Sequence, residues 1–217
     1  RSLDLECLKQ TSQENLIVLD RACKTGLNCP LTSSLGRLFD AAASILDICH
    51  VTAFEGQAAM MLEMAATGES DMQTLPYNLL HTDSEPMRGM PELWGTAKKN
   101  YMFDSPDSLN MTIEYRPLVR ALVEGVSKGV PKSVLALSFH RAILESLTET
   151  AELIREDTGI CTAALSGGCW QNRLLSLGMK SMLEDRGFTV LTHNLVPPND
   201  GGIALGQAYI ASCVGRL

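Results

Sequence analysis

The sequence predicts an α/β protein, rich in helix, with a pair of parallel strands near its C-terminus. Two observations carry that prediction. From residue 160 onward, short apolar runs alternate with helical stretches in the order strand, turn, helix, strand, turn, helix. Two strands joined by a helical crossover run parallel. Upstream of residue 160, apolar residues recur mostly at steps of three and four, the period of an amphipathic helix. A length of 217 residues, 45% hydrophobic and 20% charged, suits one large domain or one lobe of a two-lobed protein.

The elements follow in order. Residues 4–24 read as one helix, ended by Gly26-Leu27-Asn28-Cys29-Pro30. Thr32-Ser33-Ser34 then offers capping hydroxyls to a segment whose Leu35, Leu38, Phe39, Ala42, Ile45, Leu46 and Cys49 share one face. Asp40 lies opposite that stripe, facing water or a ligand cleft. A second helix covers about 56–67, with Glu55-Gly56 at its start. The stretch 74–116 holds Pro76, Pro86, Pro91 and Pro106; Thr74–Leu80 and Met111–Tyr115 are its strand candidates, a hairpin with a long surface excursion between them.

Helical patterning resumes at Pro117, where Leu118, Leu122, Val123 and Val126 form a stripe stopped by Gly129-Val130-Pro131. A long helix over 132–157 turns Leu135, Phe139, Ala142, Ile143 and Leu147 inward and stops at Gly159. Ile160–Leu165 reads as a strand leading into Ser166-Gly167-Gly168, then a helix over about 170–186. Phe188–Thr192 is the second strand, and a proline-rich loop leads through Asp200-Gly201-Gly202 to a last helix at about 203–213. The chain thus divides into a helical part (about 1–73), an excursion (about 74–116) and an α/β part (about 117–217), read together as one lobe.

Composition removes several function classes. A net charge of -7 argues against a broad surface tracking nucleic-acid phosphates. The seven cysteines, Cys7, Cys23, Cys29, Cys49, Cys161, Cys169 and Cys213, form no CxxC pair and no zinc spacing; reduced thiols of a cytoplasmic protein are the expectation. No apolar run has membrane-spanning length and no signal peptide is visible, so neither a membrane nor nucleic acid is expected as a partner. The first residue is Arg1, as in a piece of a longer polypeptide or a processed chain.

The two glycine-rich loops hold the candidate chemistry. A strand that ends in glycines and enters a helix brings backbone N–H groups close to whatever binds there, at the positive end of a helix dipole. Ligands of parallel sheets sit beyond the carboxyl ends of the strands, where both loops emerge. Gly167, Gly168 and Asn172 would then line one side of a nucleotide site, with Asp200 near its phosphate end; the same glycines also suit a plain tight turn. Asp200 before Gly201-Gly202 has the form of a helix cap, and equally of a ligand for Mg²⁺ or, with histidines, iron or zinc. Asp40 is a solvated carboxylate or an acceptor for ribose hydroxyls, and Glu55-Gly56 a helix start or a backbone contact to a nucleotide. Of His50, His81, His140 and His193, His140 reads as a satisfied structural histidine, and His193 is placed to reach the site. Cys169 is a nucleophile near a helix start or a small residue packed behind its loop.

At these residues a family resemblance appears. SGGCWQNRLL (166–175) and HNLVPPNDGGIALGQA (193–208) resemble the C-terminal signature of HypF, the NiFe-hydrogenase maturation carbamoyltransferase family. PLTSSLGRLFDAAASIL (30–46), FEGQAAMMLE (54–63) and SFHRAILE (138–145) follow in the family's order, over about residues 30–210 with 81–110 unmatched. The resemblance implies one lobe of an actin-like, sugar-kinase-like (ribonuclease H-like) ATP-binding fold, similar to the threonylcarbamoyl-adenosine transferase of tRNA. It implies that Asp40, Gly56, Gly167, Gly168 and Asn172 contact ATP or a carbamoyl-adenylate, and that Asp200 ligates a divalent metal (Mg, Fe or Zn).

It also implies a reaction: carbamoyl phosphate and ATP form carbamoyl-adenylate in an upstream domain, and this lobe helps pass the carbamoyl group to the C-terminal cysteine of HypE, where dehydration gives a cyanide ligand. Against the family pattern, the chain holds no acylphosphatase-like domain, no zinc-bearing region, no adenylate-forming domain and no histidine pair to join Asp200. On its own it is expected to bind nucleotide weakly at most and to be inactive. Two other readings remain: another actin-like O-carbamoyltransferase or phosphotransferase, and a non-catalytic docking module using Met87, Met90 and Trp94 of the excursion.

Overall fold

A computed structural model describes residues 3–30, 32–81 and 111–214. Most of the expected excursion, Met87, Met90 and Trp94 included, lies outside these residues.

The single N-terminal helix expected over 4–24 is two: α1 (Glu6–Lys9) and α2 (Gln13–Thr25). The break falls on neighbouring hydroxyls, which compete for backbone partners. Thr11 Oγ1 donates back to the Cys7 carbonyl at 3.0 Å, and Ser12 Oγ accepts the Asn15 N–H at 3.2 Å to start α2 afresh. Helix α3 (Leu35–Ile45) begins where Ser34 Oγ accepts the Arg37 N–H. It stops before its apolar stripe does. Asp47 takes a left-handed φ of 53°, and Lys132 Nζ donates to its carbonyl at 2.7 Å and its carboxylate at 2.6 Å. Leu46 and Cys49 are nevertheless buried, as the stripe required.

Helix α4 (Gln57–Ala66) buries Ala58, Leu62 and Ala66. Strands β1 (Asn78–His81) and β2 (Met111–Glu114) form the expected antiparallel pair, with Asn78 opposite Glu114 and His81 opposite Met111. β1 starts later than expected because the chain before it docks on a helix instead: the Gln73 N–H donates to buried Ser138 Oγ at 2.7 Å.

Helix α5 (Arg116–Ser127) leads to α6 (Lys132–Thr158), the 27-residue axis of the lobe, which packs against α4, α5 and the later helix α7 (Arg173–Glu184). Its buried face holds Leu135, Phe139, Ala142 and Ile143. Phe139 meets Phe39 of α3 edge to face, ring centroids 4.9 Å apart. Strand β3 (Thr162–Leu165) pairs in parallel with β4 (Thr189–Thr192), Thr162 opposite Thr189 and Leu165 opposite Thr192, with α7 as the crossover. The last helix, α8 (Ile203–Val214), is apolar but uncovered: Ile203, Leu205, Tyr209 and Ile210 are 53%, 58%, 70% and 62% exposed.

Candidate functional site

Both glycine-rich loops leave the carboxyl ends of the parallel strands and lock together there. After β3, the chain turns at Gly167, whose φ of 106° and ψ of 161° lie in a region that only glycine occupies readily. The Gly167 N–H donates to the Pro198 carbonyl at 2.7 Å, and His193 Nε2 lies 3.0 Å from Ser166 Oγ. The first loop is therefore pinned to the second by two contacts. The second loop folds tightly on itself: a Cβ on Gly201 would sit 3.0 Å from Pro197 Cγ, and one on Gly202 3.1 Å from the Pro197 carbonyl oxygen. That close approach is why the proline pair precedes two glycines.

Between the loops and the first turns of α8 opens a cleft of about 670 Å³, lined by Ser166, Gly167, His193, Asn199, Asp200 and Tyr209 among others. Asp200 does not cap the helix, as the sequence allowed. Asp200 opens a short 3-10 turn (Asp200–Gly202) that runs into α8, and Asn199 caps that turn, its Oδ1 accepting the Gly201 N–H at 3.1 Å. Among the described residues the Asp200 carboxylate has neither a hydrogen bond nor an ion pair. An exposed acid with no structural partner is left facing the cleft.

The remaining candidates are not among the residues that line this cleft. Gly168 begins a 3-10 turn (Gly168–Gln171). Asn172 ends that turn and caps α7, its Oδ1 accepting the Leu175 N–H at 3.0 Å. Its Nδ2 donates to His140 Nε2 at 2.9 Å, and the residue is 8% exposed. Asp40 is half-buried and pairs with Arg37 at 2.8 Å instead of standing free in water. Gly56, at φ 78°, precedes α4. The loop also reaches that side of the molecule, since the Arg173 N–H donates to Glu63 Oε1 of α4 at 2.7 Å. Burial pushes the Cys169 thiol pKa up, with the Gly36 N–H opposing; a protonated, packed thiol fits the loop-backing role and not a nucleophile.

His140 is the satisfied core histidine that its helix stripe implied. It is 1% exposed, Nδ1 lies 2.7 Å from the Ala136 carbonyl, and burial pulls its pKa below the ordinary 6.5. Because the folded protein then binds fewer protons than the unfolded chain, the stability His140 contributes is present above pH 6.5 and lost as pH falls below it. Urea midpoints should decline from pH 7.5 to 5.5, and His140→Phe should flatten that slope. A slope that is equally steep in the variant would assign the loss elsewhere. The depressed carboxylates of Asp47 and Glu69 titrate lower still, so they do not obscure this window.

Among the described residues, no group of three His, Cys, Asp or Glu side chains is positioned to hold an ion. Nor is any described helix long and apolar enough to cross a membrane. Sequence reasoning missed the Ser166–His193 contact, the Pro198 carbonyl and Asn199 as the cap. Only the last had a signal, since asparagine is as good a cap as aspartate.

A helix-rich α/β lobe with a parallel strand pair is consistent with one lobe of an actin-like fold. A match to the family described as carbamoyltransferase, Kae1-like domain, second subdomain extends over residues 2–207. The chain belongs to the HypF carbamoyltransferase family. It is 36% identical over 200 residues to carbamoyltransferase HypF2 of Cupriavidus necator, covering 89% of this chain and 24% of that protein. It is 34% identical to HypF of Rhodobacter capsulatus, over 86% of this chain and 20% of that one. A crystal structure of full-length HypF in its phosphate- and nucleotide-bound form superposes with a TM-score of 0.78 at 31% identity, covering 96% of this chain and 24% of that chain. The chain spans about a fifth to a quarter of the length of these HypF relatives. The tRNA N6-adenosine threonylcarbamoyltransferase of Prochlorococcus marinus is also similar, at 28% identity.

Proposed function

We propose that this chain is the nucleotide-binding lobe of a cytoplasmic carbamoyltransferase that moves a carbamoyl group from carbamoyl-adenylate to the C-terminal cysteine of HypE, for cyanide-ligand synthesis in NiFe-hydrogenase maturation. The observation that carries it is the unpartnered Asp200 in a cleft between two interlocked glycine loops, in a member of the HypF family. The neighbour of TM-score 0.78 is described as phosphate- and nucleotide-bound, which supports a nucleotide for this cleft and its surroundings.

In the reaction, the cysteine thiolate attacks the carbamoyl carbon. A C–S bond forms, the C–O bond to the adenylate phosphate breaks, and AMP leaves with the electron pair. The loops contribute position: backbone shaped by Gly167 and Gly168 lets the adenylate approach, and the contacts among Ser166, His193 and Pro198 hold that surface fixed before substrate arrives. Asp200 supplies negative charge, which repels a phosphate unless a cation lies between them. A divalent metal (Mg, Fe or Zn) there, completed by histidines from outside this chain, would polarise the carbonyl or stabilise the leaving phosphate. Zinc, carbamoyl phosphate and ATP would be used by the upstream part of the full-length protein.

Two measurements test this proposal. Calorimetric titration of the isolated chain with ATP should show no micromolar binding, because one wall of a site is present; micromolar affinity with bound metal refutes the half-site. Mass spectrometry of a HypE-tail peptide, incubated with the full-length protein, carbamoyl phosphate and ATP, should show a thiocarbamate at cysteine. Carbamoylation at oxygen points instead to an O-carbamoyltransferase.

A further inference from the structure

The buried contact between His140 and Asn172 has no part in the reaction as described, yet it joins the helices that carry the candidate nucleotide contacts. His140 sits on α6. Its ring packs edge-on against Phe39 of α3, centroids 5.2 Å apart, and Phe39 immediately precedes Asp40. Its Nε2 meets the Asn172 side chain where the glycine loop becomes α7. One imidazole therefore touches both the helix that carries Asp40 and the start of α7.

The chemistry of the contact is directional. The Ala136 carbonyl, 2.7 Å from Nδ1, can only accept, so it holds the imidazole proton on Nδ1. Nε2 is then a pure acceptor. Asn172 presents an amide with two ends of nearly equal shape, and an acceptor at Nε2 selects the NH₂ end. The oxygen is thereby turned to the Leu175 N–H, which needs an acceptor. A histidine with its proton on Nε2 would select the opposite orientation and place NH₂ against N–H at the start of α7. Burial enforces the arrangement: His140 is 1% and Asn172 8% exposed, so solvent offers little alternative partner to either.

We infer that His140 is a positioning residue: through its Nδ1–H tautomer it sets the orientation of the Asn172 amide and so the shape of the 166–172 loop presented to nucleotide. This rests on the proposed nucleotide site. It adds a residue to that site which touches neither nucleotide nor metal.

The experiment uses the full-length protein and 8-azido-ATP as a photolabel, reading by mass spectrometry only the labelled peptides from this chain. Variants are His140→Leu, His140→Gln, Asn172→Ser (serine keeps a capping oxygen) and the double variant His140→Leu/Asn172→Ser. His140→Leu and Asn172→Ser should each raise the half-saturating concentration roughly 10-fold, as loss of one buried hydrogen bond implies. His140→Gln, which keeps an acceptor for the amide, should stay within about 3-fold, and the double variant should be no worse than either single one. Multiplying effects in the double variant would overturn the inference, because the residues would then act independently. If Asn172→Ser weakens labelling and His140→Leu does not, the inference fails and the nucleotide reading stands. If Asn172→Ser has no effect, the reading of Asn172 fails and takes the inference with it. Long-range ¹H–¹⁵N spectra of unmutated protein give a readout independent of folding in the variants: an Nδ1–H tautomer is expected for His140, and an Nε2–H tautomer refutes the proposal.

Discussion

Asp200→Ala in the full-length protein is expected to lower the rate of carbamoyl transfer by about 10²–10³-fold, the several kcal/mol a charge-stabilising group supplies at about 1.4 kcal/mol per tenfold. Its folding should be unaffected. The carboxylate is exposed and, among the described residues, makes no hydrogen bond or ion pair, and the short turn it opens is capped by Asn199. Substitutions of that kind shift stability by no more than about 0.5 kcal/mol. The pairing of a large kinetic effect with an unchanged melting temperature is the diagnostic. A protein that merely docked a partner with this lobe would tolerate the change, so full activity in Asp200→Ala would sink the catalytic-lobe reading. Asn199→Ala should behave in the opposite sense, giving a less stable protein, because it removes the cap.

Asp200 also shows how far sequence alone could reach. Aspartate before two glycines at a helix start is what a cap looks like, and nothing in the string of residues separates that role from ligation. The structure takes the capping role from Asp200 through its neighbour, because Asn199 Oδ1 already holds the Gly201 N–H. The parallel pair was legible because strand, glycine turn, helix and strand follow without interruption over residues 160–192 and admit one connection. Helices α3, α5 and α6 were legible from their stripes, whose residues are buried or half-buried where three- and four-residue steps place them.

What escaped the sequence was set by contacts distant along the chain. The end of α3 depends on Lys132, 85 residues from Asp47. The late start of β1 depends on Ser138, 65 residues from Gln73. The loop-to-loop locks between Gly167 and Pro198 and between Ser166 and His193 are of the same kind. The N-terminal break is different, since Thr11-Ser12 is a local signal: two adjacent hydroxyls outweighed a helical pattern of mixed polarity. The uncovered apolar surface of α8 marks a different boundary. Its residues are mostly apolar, yet Ile203, Leu205, Tyr209 and Ile210 are each more than half exposed.

Phe139→Ala is expected to be the most destabilising single change in the core, costing about 3–5 kcal/mol. Three features place it at the upper part of what core truncations do. Phe139 is fully buried, at 0% exposure, so the cavity cannot fill from solvent. It lies on α6, the helix against which α4, α5 and α7 all pack, so partial collapse toward the cavity would disturb several contacts at once. Its ring also makes edge-to-face contacts with Phe39 at 4.9 Å and His140 at 6.0 Å, and such pairs contribute about 0.5–1.5 kcal/mol beyond area. Since domains of this size lose roughly 2–4 °C per kcal/mol, the melting temperature should fall by about 10 °C or more. Phe139→Leu, which keeps most of the volume, should cost less than half as much. The comparison separates packing from simple loss of an aromatic ring. If leucine is as damaging as alanine, the ring geometry around His140 dominates, and nucleotide labelling of the 166–172 loop should fall with it. If leucine is mild, the cost resides in the cavity, and labelling should persist in Phe139→Leu under conditions where the protein remains folded.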